Sequence, residues 1–492
     1  MTHQIIRNHR RKLPMISLPM ISLAMISLPF ISLATMVTMM PTSALAHATG
    51  QSFVALLPTG PYMAVGVIIV ALSILLLWFL PHRSLDKLLP GVSVSRFAIR
   101  GVRSGAAQNA SSFVMFLWFC WLLYAGYTGT RDPLENPLVL GFWVTFWMAA
   151  LMVQGLAFNL WGWISPWRWL IRPIIRFRGE GKFTLPWTFG AWPAVILLLC
   201  FSAFTLADPA PDDPARLASI GLVYLLITVA GMILCGPRRW LAQVEFFSVI
   251  MGLFGRLAPW GVRARQIRMA WHGWQLGRGL FMRPGLPVFI LVLLGTGSFD
   301  GFNETFVWLD FIGVNPLAFP GRSAVVLPVI CGLAAGNVIL AAAFALLLFT
   351  GDRIAGGRHG ASQLVATFAP TILPIALAYH TAHYLPSLLV DGQYVLAALN
   401  DPFNSGANLL GRDGAYVTTG FFNHRETMRI IWLSQALVIV SGHVLAVVLA
   451  HAQALHVYRS LRRAFIAGMP LAIFMILYTW LGLWLLAAPK GG

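Results

Sequence analysis

Residues 61–80 read PYMAVGVIIVALSILLLWFL, a run without one Asp, Glu, Lys or Arg. At the rise of an α-helix such a run is about 30 Å long, the thickness of a bilayer's hydrocarbon core. A single run of this kind would mark an anchor. Here comparable runs recur at roughly 111–130, 138–160, 187–206, 218–236, 285–302, 323–349, 362–390, 429–450 and 464–488. With 58% of the 492 residues hydrophobic and only 10% charged, no polar stretch is long enough for a separate soluble domain. The fold class read from this pattern is an all-α polytopic membrane protein of about ten transmembrane helices.

Ahead of the first span, residues 1–46 have the layout of an export signal. A basic start, MTHQIIRNHRRK, is followed by the stutter PMISL PMISL AMISL PFISL and by the small residues SALA before His47. A five-residue period suits no packed helix face, so the stutter reads as an expanded apolar region with no role after cleavage. Cleavage after Ala46 leaves 47–492 as the mature bundle. Cleavage after Ala48 and an uncleaved first span are the alternatives.

The net charge of +18 raises the question of a nucleic-acid partner, and its placement answers it. With an exported N-terminus the loops alternate from a cytoplasmic 81–110, and both ends of the mature chain lie outside. Apart from the basic start, 23 of the 30 remaining Lys and Arg fall in the five predicted cytoplasmic loops, whereas 12 of the 16 Asp and Glu fall outside. That is the positive-inside pattern, and it holds in every predicted cytoplasmic loop. The partner it implies is the lipid bilayer, not nucleic acid.

The long inner loop 237–284 contains FFSVIMGLFGRLAPWG (246–261), too short to span and read as an interfacial or re-entrant helix. Tryptophans cluster at span ends, as in NLWGWISPWRWL (159–170), where an aromatic belt belongs. Cys120, Cys200, Cys235 and Cys331 all fall in apolar spans without metal-site or redox spacing, and read as small buried residues. Chemistry is therefore expected within the bundle or in its outer loops, the largest being 391–428.

Ionisable groups at membrane depth are costly, so each is a functional candidate. AYHTAHYL (378–385) places His380 and His383 three residues apart on one helix face. Two imidazoles aimed at one spot suit a divalent cation, zinc-like or cobalt-like, and a catalytic site of that kind takes a third protein ligand. Asp300, about 24 Å along its span by helical rise, is the natural third, as a ligand or as the base that holds a water. His443, roughly 20 Å from the outer end of its own span, is a fourth candidate whose depth lies below the pair. Pro370, Pro374 and Pro386 bracket the pair and predict a local bend. Gln154, Asn159, Asn337 and Gln435 read as interhelical hydrogen-bonding residues, as does His451. His47 would chelate metal only as a free N-terminal residue.

FDGF (299–302), AYHTAHYL (378–385), DPFNSGANLLG (401–411), GH (442–443) and AHATG (46–50) together resemble the fenitrothion hydrolase-like family of integral-membrane organophosphate hydrolases. The matches are spread over most of the mature chain, and are loose at the N-terminus and in 391–428. The resemblance implies hydrolysis of a small apolar phosphotriester at the bond between phosphorus and an aryloxy group. A metal would polarise the phosphoryl group and acidify bound water. Tyr379, Tyr384, Phe299 and Phe302 would suit a nitroaryl group, and are equally ordinary core residues. Two other readings use the same His and Asp residues: a transporter with a proton or metal path, and an envelope protein that handles metal. No inverted repeat between the halves supports the transporter.

Overall fold

The computed structural model describes residues 57–79, 92–95, 105–179, 185–263, 266–276, 282–401, 406–411 and 417–490. The expected export signal 1–46 and His47 lie outside them. In chain order the helices that matter here are α1 (Thr59–Phe79), α2 (Gly105–Thr128), α3 (Pro137–Leu156), α4 (Trp192–Ala207) and α5 (Pro214–Cys235). They continue with α6 (Phe246–Phe254), α7 (Leu286–Asn303), α8 (Val326–Ile354), α9 (Ala361–Asn400), α10 (Arg425–Tyr458) and α11 (Leu461–Ala487). Among the described residues nine of these, all but α4 and α6, are long and apolar enough to cross a membrane. The protein is a helical, polytopic membrane protein.

The span expected at 187–206 is the short one, α4, with 16 residues. It starts late because the chain before it turns to meet the start of α7. The Ala191 N–H donates to the Pro284 carbonyl at 2.7 Å, and a Cβ on Gly190 would lie 2.0 Å from that oxygen. Gly190 (φ 48°) and Gly285 (φ 77°) supply the left-handed backbone that this approach requires.

Helix α9 is interrupted by a 3₁₀ turn over Ala369–Ile372, where Pro370 and then Pro374 each remove a backbone donor. It runs on to Asn400, ten residues past the expected end of its span, so the outer loop expected at 391–428 is shorter. Asp391 does not stop the helix. Gln393, two residues on, exchanges two 2.9 Å bonds with the Thr418 backbone and ties the loop back to it.

Helix α6, too short to span, is packed into the bundle: seven of its nine residues are buried, Ile250 and Met251 completely. Its first turn is capped by Glu245, which accepts from the N–H groups of Phe247 (3.0 Å) and Ser248 (2.8 Å) and from the Tyr224 hydroxyl. Three strands, β1 (Val92–Ser95), β2 (Trp260–Arg263) and β3 (Gln266–Met269), form a small antiparallel sheet in the order β1-β3-β2. It joins the loop after α1 to the loop before α7. At four residues each, these strands are too short for an alternating pattern to declare them.

The cysteines are not core residues: Cys200 and Cys331 are exposed, and Cys120 and Cys235 are half-buried. A span is apolar all round, so its composition does not separate the lipid face from the packed face.

Candidate functional site

The candidate site forms where α7 stops. The Asn303 amide donates to the carbonyls of Phe299 (3.1 Å) and Asp300 (2.6 Å), and the helix ends there with Asp300 in its last turn. A carboxylate at a helix C-terminus faces the negative end of the dipole and needs donors from elsewhere. It finds two on α9, both at Oδ2: His383 Nε2 at 3.2 Å and the Tyr384 hydroxyl at 2.9 Å. The side chains of His383 and Asp300 remain 13% and 17% exposed, so the pair is not sealed.

Gly301 makes this approach possible. A Cβ there would fall 1.9 Å from the Tyr379 hydroxyl, so any larger residue would push the Tyr379 side chain aside. The Tyr379 ring stacks on His383, with centroids 5.8 Å apart and planes 15° apart, and so orients the imidazole. From the other side Gln435 of α10 donates to the Ala382 carbonyl at 2.7 Å and holds the backbone next to His383.

His380 shares a helix face with His383 but has a different partner. Its Nε2 lies 3.0 Å from the Trp147 carbonyl, and the Trp147 ring meets it edge-on at 5.4 Å. Trp147 lies in the stretch Leu140–Ala150 of α3, which is π-helical; such wide turns are frequent at functional sites. Tyr384 stands between the two imidazoles, its ring 4.9 Å from His380 and 4.7 Å from His383.

Asp300, His380, His383 and Tyr384 line a cavity of about 50 Å³ whose other walls are mostly apolar, Leu151, Leu198, Phe201, Phe254 and Leu293 among them, with the hydroxyl side chains of Ser202, Thr205 and Thr296 as exceptions. That is room for a few waters. The short, buried α6 contributes Phe254 to the wall.

His443 does not reach this cavity. It is 2% exposed, its Nδ1 lies 2.9 Å from the Ile439 carbonyl of its own helix, and it lines a second chamber of about 10 Å³ with Ser298 and Tyr478. Tyr379 is a wall of both spaces. Phe299 and Phe302 turn away to Trp308, at 5.2 and 5.9 Å. Gln154 and Asn337 are spent on structure, donating to the Met251 (2.6 Å) and Leu333 (2.9 Å) carbonyls, and Asn159 accepts from Gln154 at 3.1 Å. His451 lines a third cavity with Tyr458, at the far end of α10.

Among the described residues no three His, Cys, Asp or Glu side chains come together as metal ligands. A catalytic site for a zinc-like ion takes three protein donors. Here Asp300 and His383 supply two, His380 Nε2 is turned to a backbone carbonyl, and His443 sits behind Tyr379. As they lie, these residues do not fit the expected divalent ion. What they do make is a carboxylate–imidazole pair: a carboxylate that holds one ring nitrogen leaves the other as a base. Sequence reasoning singles out neither Trp147, which acts through a carbonyl, nor Ser298 and Tyr478, which are ordinary residues until their helices are brought together. The chain matches no family model, no curated protein and no solved structure.

Proposed function

We propose that the protein is a membrane-embedded hydrolase of neutral, apolar organophosphate triesters of the fenitrothion or parathion type, releasing a nitrophenol. The observation that carries this reading is the Asp300–His383 pair, 3.2 Å apart and open to a mostly apolar cavity inside a membrane bundle. An uncharged aryl triester partitions into a bilayer and suits a site reached between helices. In the reaction Asp300 keeps the Nε2 proton of His383, and Nδ1 takes a proton from water as the water oxygen bonds to phosphorus. The P–O-aryl bond breaks and its electron pair leaves with the nitrophenolate. The imidazolium then returns its proton to the phenolate or to solvent. Tyr384 steadies the carboxylate oxygen that grips His383. The cavity holds the attacking water, and the helices around it part to admit the ester. No step is routed through a metal, because the donors do not fit one.

The same reading makes the chain a relative of the fenitrothion hydrolase-like proteins in a bacterial inner membrane. Residues 1–46 would be the export signal, both ends of the mature chain would lie outside, and the cavity would open to the periplasm or outer leaflet. Its support is the uneven placement of Lys and Arg and the set of motifs around Asp300 and His383.

The test is nitrophenol release by the purified protein in lipid nanodiscs. Asp300→Asn and His383→Ala are each expected to lower turnover by about 100-fold or more, and a chelator to leave it unchanged. Wild-type-like turnover in both variants would remove the site. No turnover, together with substrate-driven proton or metal flux in vesicles, would replace the enzyme by a transporter.

A further inference from the structure

The chamber behind Tyr379 has an unbalanced set of hydrogen-bonding groups. The Ser298 hydroxyl reaches the Leu294 carbonyl at 3.0 Å, one turn back on α7, and gives its proton there. The Tyr478 hydroxyl is in contact with Ser298 Oγ, so it is the Tyr478 O–H that donates in that pair. The Tyr478 oxygen is left as an acceptor. His443 repeats the pattern: its Nδ1 is 2.9 Å from the Ile439 carbonyl, so Nδ1 carries the proton and Nε2 bears the lone pair. Nε2 is the ring nitrogen farther from the backbone. With Nδ1 turned back along α10, it points away from the helix, where it is buried without a partner. Two residues, each with a spare acceptor, thus line one chamber, and an unsatisfied buried acceptor costs about 1–3 kcal/mol.

The space has the volume for one small molecule, about 10 Å³, and is walled by Ile375, Ile439 and Leu485 as well as by the polar groups. We propose that it binds a single water, which donates one proton to His443 Nε2 and the other to the Tyr478 oxygen. Only a molecule that donates twice satisfies both acceptors, and water is the one that fits. The water joins α10, through His443, to α11 and α7, through Tyr478 and Ser298. Ser298 is two residues before Asp300, and Tyr379, the wall of the chamber, stacks on His383. His443 is therefore a positioning residue that acts from behind the Asp300–His383 pair. Its effect on turnover rests on the hydrolase reading; the water itself does not.

Two measurements decide it, neither of which needs a substrate. In a high-resolution cryo-electron-microscopy map of the full chain in nanodiscs, a single peak is expected within hydrogen-bonding distance of both His443 Nε2 and the Tyr478 oxygen. A chamber empty in a map that shows other buried waters, or a peak that chelation removes, would overturn the proposal. In a melting-temperature cycle, His443→Leu and Tyr478→Phe each lower the midpoint by a few degrees. The double variant is no worse than the more damaging single one, because both break the same bridge, and His443→Gln, which keeps an acceptor, recovers part of the loss. Fully additive shifts would count against a shared water. If nitrophenol is released, His443→Leu lowers kcat several-fold with KM unchanged. Equal kcat in the presence of the water would confine the bridge to a structural role and end the positioning claim. Should the wild type release no nitrophenol, the hydrolase reading falls and the map and the cycle still decide the water.

Discussion

Asp300 and Asp352 each lie in the last turns of a membrane helix, α7 and α8, and each is held by one histidine and one tyrosine. Because α7 and α8 are consecutive crossings, the two clusters stand at opposite ends of the bundle. Asp352 is wholly enclosed. Its Oδ1 takes His359 Nδ1 at 2.7 Å and the Tyr458 hydroxyl at 2.8 Å, while Oδ2 takes the His359 backbone N–H at 3.1 Å and faces the Arg353 guanidinium at 3.5 Å. Both oxygens are saturated, and His359 belongs to the loop that follows the helix. Asp300 has its donors on Oδ2 alone, its histidine comes from a separate helix, and the pair faces a cavity. The same three residue types thus make a loop clamp in one place and a carboxylate–imidazole pair open to a cavity in the other. What separates them is saturation and access.

The largest expected effect breaks the comparison at its centre. Asp300→Asn keeps the shape and loses the charge that holds His383, so turnover falls by about 100-fold or more while the melting temperature stays near that of the wild type. Asp352→Asn does the reverse. It leaves buried donors facing a neutral amide and lowers stability by about 3 kcal/mol, while turnover per folded molecule is unchanged. Nitrophenol release normalised to folded protein, beside thermal melts of both variants, separates the two. A similar loss of turnover in both would mean that the clusters are not functionally distinct.

A glycine guards each cluster, and these give the next effect in size. A Cβ on Gly357 would lie 2.1 to 2.7 Å from the three carboxyl atoms of Asp352, and one on Gly301 would lie 1.9 Å from the Tyr379 hydroxyl. Gly357→Ala is expected to destabilise by about 2 kcal/mol through overpacking. Gly301→Ala displaces Tyr379 and with it the stacked His383, and turnover drops by roughly tenfold to a hundredfold through lost alignment. Urea or thermal unfolding reports the first and kcat the second. His380→Ala is expected to fall below this, at about tenfold or less, because His380 touches the Trp147 carbonyl rather than Asp300.

Much of this architecture is legible in the sequence because a span must be apolar over about twenty residues whatever it packs against. For that reason nine of the ten expected spans are found, among the described residues, as helices long and apolar enough to cross a membrane. Asp300 and His383 can be brought to one level by counting helical rise, since depth is set by residue number. Rotation is not. His443 and His380 lie in the right spans, yet their partners depend on how α10 and α9 turn relative to their neighbours, and on a π-helical stretch in α3 whose sequence, LGFWVTFWMAA, is merely apolar. Asp352 carries no motif at all. Its role comes from Gly356 at φ 73° and from Gly357, which let the chain fold back over its own helix end.

The tyrosines give the smallest and finest comparison. Each donates one hydrogen bond to an aspartate, Tyr384 to Asp300 at 2.9 Å and Tyr458 to Asp352 at 2.8 Å, so Phe removes one donor and little volume in both cases. At Asp352 three other contacts remain, and the loss appears as about 1 kcal/mol of stability. At Asp300 only His383 remains on the carboxylate, and the freed oxygen is taken by cavity water. Tyr384→Phe is therefore expected to leave the melting temperature nearly unchanged and to lower kcat about fivefold, the kinetic equivalent of about 1 kcal/mol. Steady-state kinetics and a melt on each variant read the two effects separately. A Tyr384→Phe variant that loses stability but not kcat would assign Asp300 to the same structural class as Asp352, whatever the cavity beside it suggests.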